Sequence, residues 1–385
     1  MSQGILLGGS GGYGTLPEQV SGFYAARGNA QVALTWSNPS ADYAGTLIVR
    51  KTGNYPQRPS DGAKIYRGTA TSCTDTGLTN DTQYYYRAFS YNSRGEYQTI
   101  SRTATAKPIA GTVVSTMPVG TKIKLGMYYE QPIIWKIIDK NHSGYPANSV
   151  TLMADKILAL RCFDAAEPTN PDSNRREYGD NRYSFSNIRQ WLNSEANAGK
   201  WYSAKHQYDA PPSNANVRNG YNGYDTQAGF LNHFSASAKS LLLNTTLTTT
   251  LSSADGGGSE TVMDKIFLAS RTEMNLGNNI ADGVPFAIFD SDASRGAQIT
   301  AECIRHDPSS YNLDTSRLWY YWLRTPADYK SYLSHYVSNS GALDANDDGQ
   351  YTYVVDWGIR PLCNVFGYTP FSIEPDSDGC YTVLE

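Results

Sequence analysis

Between residues 16 and 108, apolar and polar positions alternate in short runs: GFYAAR, QVALTW, GTLIVRK, QYYYRAFSYN and TISRTATA. Alternation with period two marks strands that bury one face, and turn residues close each run, so this stretch predicts a β-sandwich. In VALTW the residues Val32, Leu34 and Trp36 fall on one face. LTNDTQY sets Leu78, Thr82 and Tyr84 at the spacing of a tyrosine corner, where a phenol hydroxyl pins the preceding turn. Ahead of the sandwich, residues 1–15 are rich in Gly and Ser and read as a flexible or assembly-dependent arm.

Residues 109–118 read as a linker, and the pattern changes after them. VGTKIKLGMYYEQPIIWKIIDKN predicts a Gly-bounded hairpin followed by a strand carrying Ile133, Ile134, Trp135, Ile137 and Ile138. Two stretches have helical spacing. SNIRQWLNSEA offers Ser186 as N-cap and Ile188, Trp191 and Leu192 as one stripe; FLNHFSASAKSLLL places Phe230, Leu231, Phe234 and Leu241 to Leu243 on another. Polar, Asn- and Tyr-rich insertions lie at 164–183 and 203–227. DKIFLASRTEM reads as a strand running into a turn, and WYYWLRTP, HYVSNSGAL, TYVV and GIRPLCNV as short strands. The expected fold class is therefore mainly β, with an α+β second domain over 119–366 and a tail at 367–385.

Composition narrows the function classes. The chain has 385 residues, a formal charge of -4 and only 18% charged residues, which gives no reason to expect nucleic acid or an anionic membrane as partner. Its 29 Tyr and 34 Gly leave it short of helix formers and well supplied with side chains suited to recognition. No run approaches the ~20 apolar residues of a membrane span. The N-terminus lacks the charged and apolar regions of a secretory signal, so synthesis is expected to end in the cytoplasm. Cys73, Cys162, Cys303, Cys363 and Cys380 form no CxxC or zinc spacing and read as buried thiols.

Two resemblances sharpen this. With Asn92-x-x-Gly95, residues 16–108 resemble a fibronectin type III domain, which implies a spacer or adhesion module. The ordered series WKII, DKIL, IRQWLN, FLNHFS, DKIFLAS, WLRTP, YVSNSG and GIRPL is similar to a bacterial and phage family of C-type-lectin-fold domains, in the branch shared with formylglycine-generating enzymes. That resemblance runs from about Gly120 to Val365. It implies that WLRTP and GIRPL are paired core strands with Trp322, Leu323, Ile359 and Leu362 inward, and that Arg324 and Arg360 anchor loops.

Between those framework motifs, residues 319–357 hold Tyr320, Tyr321, Tyr329, Tyr332, Tyr336, Tyr351 and Tyr353, roughly twice the density of Tyr in the whole chain. Asp328, Ser331, Ser334, His335, Ser338, Asn339, Asp344, Asn346, Asp347, Asp356 and Trp357 complete the expected ligand-binding surface. An apolar skeleton interrupted by Tyr, Ser, Asp and Asn resembles an antibody paratope. It also resembles the variable region of proteins diversified by retroelements. The resemblance implies a non-enzymatic receptor-binding protein of a phage tail tip, whose target is a bacterial cell-surface protein or glycan. Its N-terminal region would contact virion tail proteins, and a homotrimer follows by analogy with tail fibres. The alternative address is a bacterial cell surface, as an adhesin.

Other chemistry finds little support in the residues. The resemblance also implies a copper-dependent oxidase as a second alternative, which needs two paired cysteines near the C-terminal loops; Cys303 and Cys363 are the only candidates, and Cys363 sits in a predicted core strand. No G-x-S-x-G, H-E-x-x-H or P-loop occurs, and His142, His206, His233, His306 and His335 show no metal spacing. Asp344, Asn346 and Asp348, followed by Gly349, match the first half of a calcium loop, but its twelfth position is Val355 instead of Glu. Calcium is thus a weak candidate here, and no other cofactor is expected.

Overall fold

In a computed structural model that describes residues 15–276, 282–343 and 349–384, the alternating runs become the strands they predict. The chain divides into two compact units, Met1–Gly111 and Thr112–Glu385. Strand exceeds helix, 33% against 11%, so the protein is mainly β.

The N-terminal unit is a β-sandwich. One sheet orders the strands Ser21–Gly28, Gln31–Ser37 and Ser72–Thr76; the other orders Ala63–Gly68, Gly45–Thr52, Tyr84–Tyr91 and Arg102–Ala106. Val32, Leu34 and Trp36 from the first sheet and Ile48, Tyr86 and Ala88 from the second share one core. At the predicted corner, the Thr79 amide donates to the Tyr84 hydroxyl at 3.1 Å. One charge is taken inside: Asp75 accepts from Arg50 at 2.7 and 2.9 Å and from the Tyr86 phenol at 2.9 Å, so its oxygens are satisfied by polar neighbours.

The second unit is built around a six-stranded sheet. Its order is Ile266–Phe267, Leu362–Phe366, Ser149–Ala154, Gln131–Lys140, Lys122–Tyr128 and Tyr381–Thr382. A five-stranded sheet orders Ala159–Leu160, Gly358–Ile359, Tyr321–Pro326, Leu333–Val337 and Gln350–Tyr351. Strand Ser149–Ala154 is buried at every position, as expected of a strand covered on both faces. The helix Asn187–Leu192 begins at Ser186, whose hydroxyl accepts from the Arg189 amide, and buries Ile188, Trp191 and Leu192. Among the described residues, no helix is long and apolar enough to cross a membrane.

Four sequence expectations need correction. The linker over 109–118 ends early: Thr112–Val113 pairs with Pro370–Phe371, and Val114 and Met117 enter the second core. The tail at 367–385 is likewise structural, because Tyr381 and Thr382 pair in parallel with Ile123 and Lys124. TYVV is no strand. The Thr352 amide bonds Tyr332, the Tyr353 amide bonds Tyr178 and the Val354 amide bonds Tyr351, so three different partners replace a ladder. The single helix over FLNHFSASAKSLLL breaks at Phe234, where Ser235 caps a new helix, Ala236–Leu241, after a 3-10 turn at Phe230–His233.

Candidate recognition surface

The framework around the Tyr-rich segment is interior. Tyr321 pairs with Gly358, placing the WLRTP strand parallel to the short GI strand, and Trp322, Leu323, Ile359 and Leu362 are all buried. The Trp322 indole donates to the Arg161 carbonyl at 2.8 Å. Arg324 donates to Glu273 and to the carbonyls of Leu268 and Asp282, while Arg360 donates to the carbonyls of Ala154 and Arg295. Both guanidiniums tie together segments far apart in the chain.

Six residues expected on the surface belong to this interior. Tyr321 is fully buried and donates its hydroxyl to Arg295 O. Ser334 is buried with its hydroxyl on the carbonyls of Leu323 and Thr325. His335 is buried with Nε2 at 3.3 Å from Arg271 Nη1, and Ser331 is buried with its carbonyl on the Asn181 amide. Asp356 is buried and gathers the hydroxyls of Tyr221 and Ser309, each at 2.6 Å, along with that of Ser310 at 3.2 Å. Trp357 is buried between Tyr320, 4.9 Å away, and Tyr336, 5.6 Å away. Strands 321–326 and 333–337 are covered on both faces, so neither offers the polar outer face that alternation suggests.

The remaining residues divide between two places. Tyr332, Tyr351 and Tyr353 converge with Tyr178, whose ring centroid lies 5.4, 4.3 and 5.4 Å from theirs. Tyr351 is exposed and the other three are half-buried. Nearby in sequence, Asp328, Tyr329 and Asn339 are exposed, Tyr329 to 83%. Tyr320 and Tyr336 instead join Trp319, Tyr311 and Trp357 in a second aromatic group, and Ser338 is half-buried on a turn with Ser340. Asp344, Asn346, Asp347 and Asp348, with the calcium pattern among them, lie outside the described residues.

Two segments outside 319–357 position the first group. Tyr178 ends the helix Ser173–Tyr178, which starts at Asp172 through bonds from the Asn174 and Arg175 amides. Its carbonyl accepts from the Tyr353 amide at 3.1 Å and from the Thr352 hydroxyl at 2.5 Å. The Asn181 side-chain amide reaches the carbonyls of Lys330 and Leu333 at 2.8 Å and of Ala327 at 3.3 Å. On the other flank, the Asp328 carboxylate and carbonyl both accept from the Ser253 amide, at 3.1 and 3.0 Å. Tyr178 was not among the sequence-derived site residues; the signal for it was the Tyr-rich character of insertion 164–183.

A hydrogen bond with Glu177 pushes the Tyr178 phenol up to about 12, and burial pushes that of Tyr353 up as well. Both hydroxyls are therefore neutral donors at physiological pH, on rings whose edges and faces are partly open. Such a group provides contact area with few rotors and adaptable hydrogen bonds. Cys303 and Cys363 are both fully buried, and burial pushes both thiols well up from their ordinary range. Cys303 lies on the helix Ala301–His306 with its sulfur 3.6 Å from Asp307, and Cys363 lies mid-strand between Leu152 and Ile266. Folding brings His206 together with Glu167 and Asp180, three residues whose spacing in sequence shows no metal pattern.

Residues 148–366 match the family described as "Domain of unknown function (DUF6273)". No curated protein matches the chain. Among solved structures, a mutant of FN3tt is similar at 22% identity over 24% of this chain and 97% of its own, with a TM-score of 0.20. The fibronectin type III domain of the human KIAA0970 protein is similar at 19% identity over 26% and 75%, with a TM-score of 0.18. Domains d3–d4 of the rat CD45 extracellular region are similar at 18% identity over 24% and 51%, with a TM-score of 0.20.

Proposed function

We infer a binding function for this chain, which belongs to the DUF6273 family: it is a non-enzymatic target-binding protein of a phage tail tip. In this reading the second unit is a C-type-lectin-type domain and the sandwich a fibronectin type III spacer. The arm at residues 1–15 docks on virion tail proteins, as a homotrimer, and the segment 319–357 is diversified by a retroelement.

The observation that carries the reading is the open tyrosine group, Tyr178, Tyr332, Tyr351 and Tyr353, beside the exposed Tyr329. Five clustered tyrosines, two exposed and three half-buried, supply the rigid aromatic contact area that a recognition surface uses. Supporting the lectin-type reading are the pairing of the unit's first strand with Pro370–Phe371 and the long irregular insertions over a rigid pair of sheets. Supporting the spacer reading are the three-plus-four strand arrangement and the Tyr84 corner.

The ligand is a bacterial cell-surface protein or glycan. Fluorescently labelled full-length protein, incubated with a panel of intact bacterial strains, is expected to stain a subset of them. Tyr329→Ala combined with Tyr351→Ala is expected to lower that staining at least about tenfold, since central aromatic anchors dominate such interfaces. Staining unchanged by the double substitution would remove this surface from the binding function.

A further inference from the structure

Glu167, Asp180 and His206 each offer a ligand-type atom, and these atoms all lie within 4.8 Å of one another. Glu167 and Asp180 are buried and His206 is half-buried. The surrounding chain is arranged to deliver them. Glu167 Oε2 accepts from the Asn170 amide group, and Asn170 in turn receives the Asp172 amide on its own oxygen, at 2.9 Å. Asp180 follows Gly179, whose φ of +86° and whose approach to Ala165 O, 2.5 Å from a would-be Cβ, exclude any other residue there. The Asp180 amide is held by Asp164 Oδ2 at 3.0 Å.

Glu167 Oε1 is the unexplained atom. It sits on a fully buried side chain and receives no hydrogen bond. His206 Nε2 lies 2.9 Å from it and is its close polar neighbour, an ion pair when the imidazole is protonated. The Tyr208 amide donates to the other ring nitrogen at 3.4 Å, which leaves Nε2 facing the two carboxylates. Nearby positive charge is limited. Arg175 is 3.6 Å from Asp180 but bonds closely to Asp255, while Asp164 adds another buried carboxylate. Buried carboxylates outnumbering their cations are costly unless a cation joins them.

We propose that Glu167, Asp180 and His206 bind one divalent transition-metal cation of the Zn²⁺ class. An imidazole with two carboxylates suits such a cation, with water filling the fourth position; Ca²⁺ prefers a larger, all-oxygen set. Its ligand Asp180 lies two residues from Tyr178 and one from Asn181, so the cation braces the insertion on which the tyrosine group rests.

The test uses full-length protein stripped with EDTA and exchanged into chelator-free buffer, so it is independent of any target. Titration with ZnCl₂ in a calorimeter is expected to show one site per chain, and Zn²⁺ is expected to raise the melting temperature. Co²⁺ is expected to give visible d–d absorption from a nitrogen- and oxygen-ligated site. His206→Ala and Glu167→Gln are each expected to weaken Zn²⁺ binding at least about 100-fold. If Glu167→Gln does not fold, the half-buried His206→Ala decides alone. No Zn²⁺ binding by the folded protein, a response to CaCl₂ but not to ZnCl₂, or undiminished Zn²⁺ binding in the variants would each overturn the proposal.

Discussion

Arg324 grips Glu273 through two bonds of 2.6 and 2.7 Å, one from each terminal nitrogen to each carboxylate oxygen, with both side chains out of reach of solvent. The same carboxylate accepts the Tyr145 hydroxyl at 2.7 Å and the Ser270 amide at 2.9 Å, so its acceptor positions are filled. Removing the cation leaves an uncompensated buried charge. Arg324→Met is expected to cost about 3–5 kcal/mol in urea denaturation. A loss below about 1 kcal/mol, typical of an exposed pair, would show that water reaches this site.

Trp322 carries a second test of the core. Its ring is buried against Phe163, at 5.8 Å, and its indole satisfies the Arg161 carbonyl. Trp322→Ala is expected to destabilise by about 3–5 kcal/mol through the cavity it leaves, with the orphaned carbonyl adding to the loss. Denaturation midpoints within error of wild type would mean that the aromatic packing is not what holds this strand.

The two classes of tyrosine should separate in stability measurements. Tyr329→Ala removes a ring that is 83% exposed and is expected to change stability by less than about 0.5 kcal/mol. Tyr321→Ala removes a fully buried ring together with its bond to Arg295 O and is expected to cost several-fold more. Equal effects of the two in thermal denaturation would contradict the division of the Tyr-rich segment into core and surface.

Asp155 sets a pH-dependent contribution. Burial raises its carboxyl, but Lys122 at 2.7 Å and Lys136 at 3.2 Å outweigh that and hold it below the usual carboxylate range. A lowered folded-state value means the contribution is full above the unfolded value of about 4 and is lost as pH falls through the folded value. Asp155→Asn should therefore be less stable than wild type at about pH 7, with the gap closing by about pH 2. A gap independent of pH would assign the effect to lost packing.

Much of the fold was legible because local pattern and burial agree. VALTW, the Ser186 cap and the Ile133 to Ile138 strand each appear where their periodicity puts them. The surface was harder to read because polarity does not report exposure when partners arrive from afar. His335 and Asp356 look like surface residues, yet each is buried against groups supplied by other segments, Arg271 and Tyr221 among them. Tyr178 escaped for the same reason. It meets Tyr332 and Tyr351 in space although more than 150 residues separate it from them in sequence. His206 and Glu167 likewise become neighbours only through the fold of two insertions.

The Asn181 amide has a consequence for how freely its neighbourhood can change. Every group it holds in the 327–333 turn is a main-chain carbonyl, and every residue type carries one. A tether of that kind is blind to identity: Asp328, Tyr329 and Tyr332 can be exchanged for other side chains without cutting any of its bonds. Through this tether the backbone can hold one path whichever side chains those positions carry.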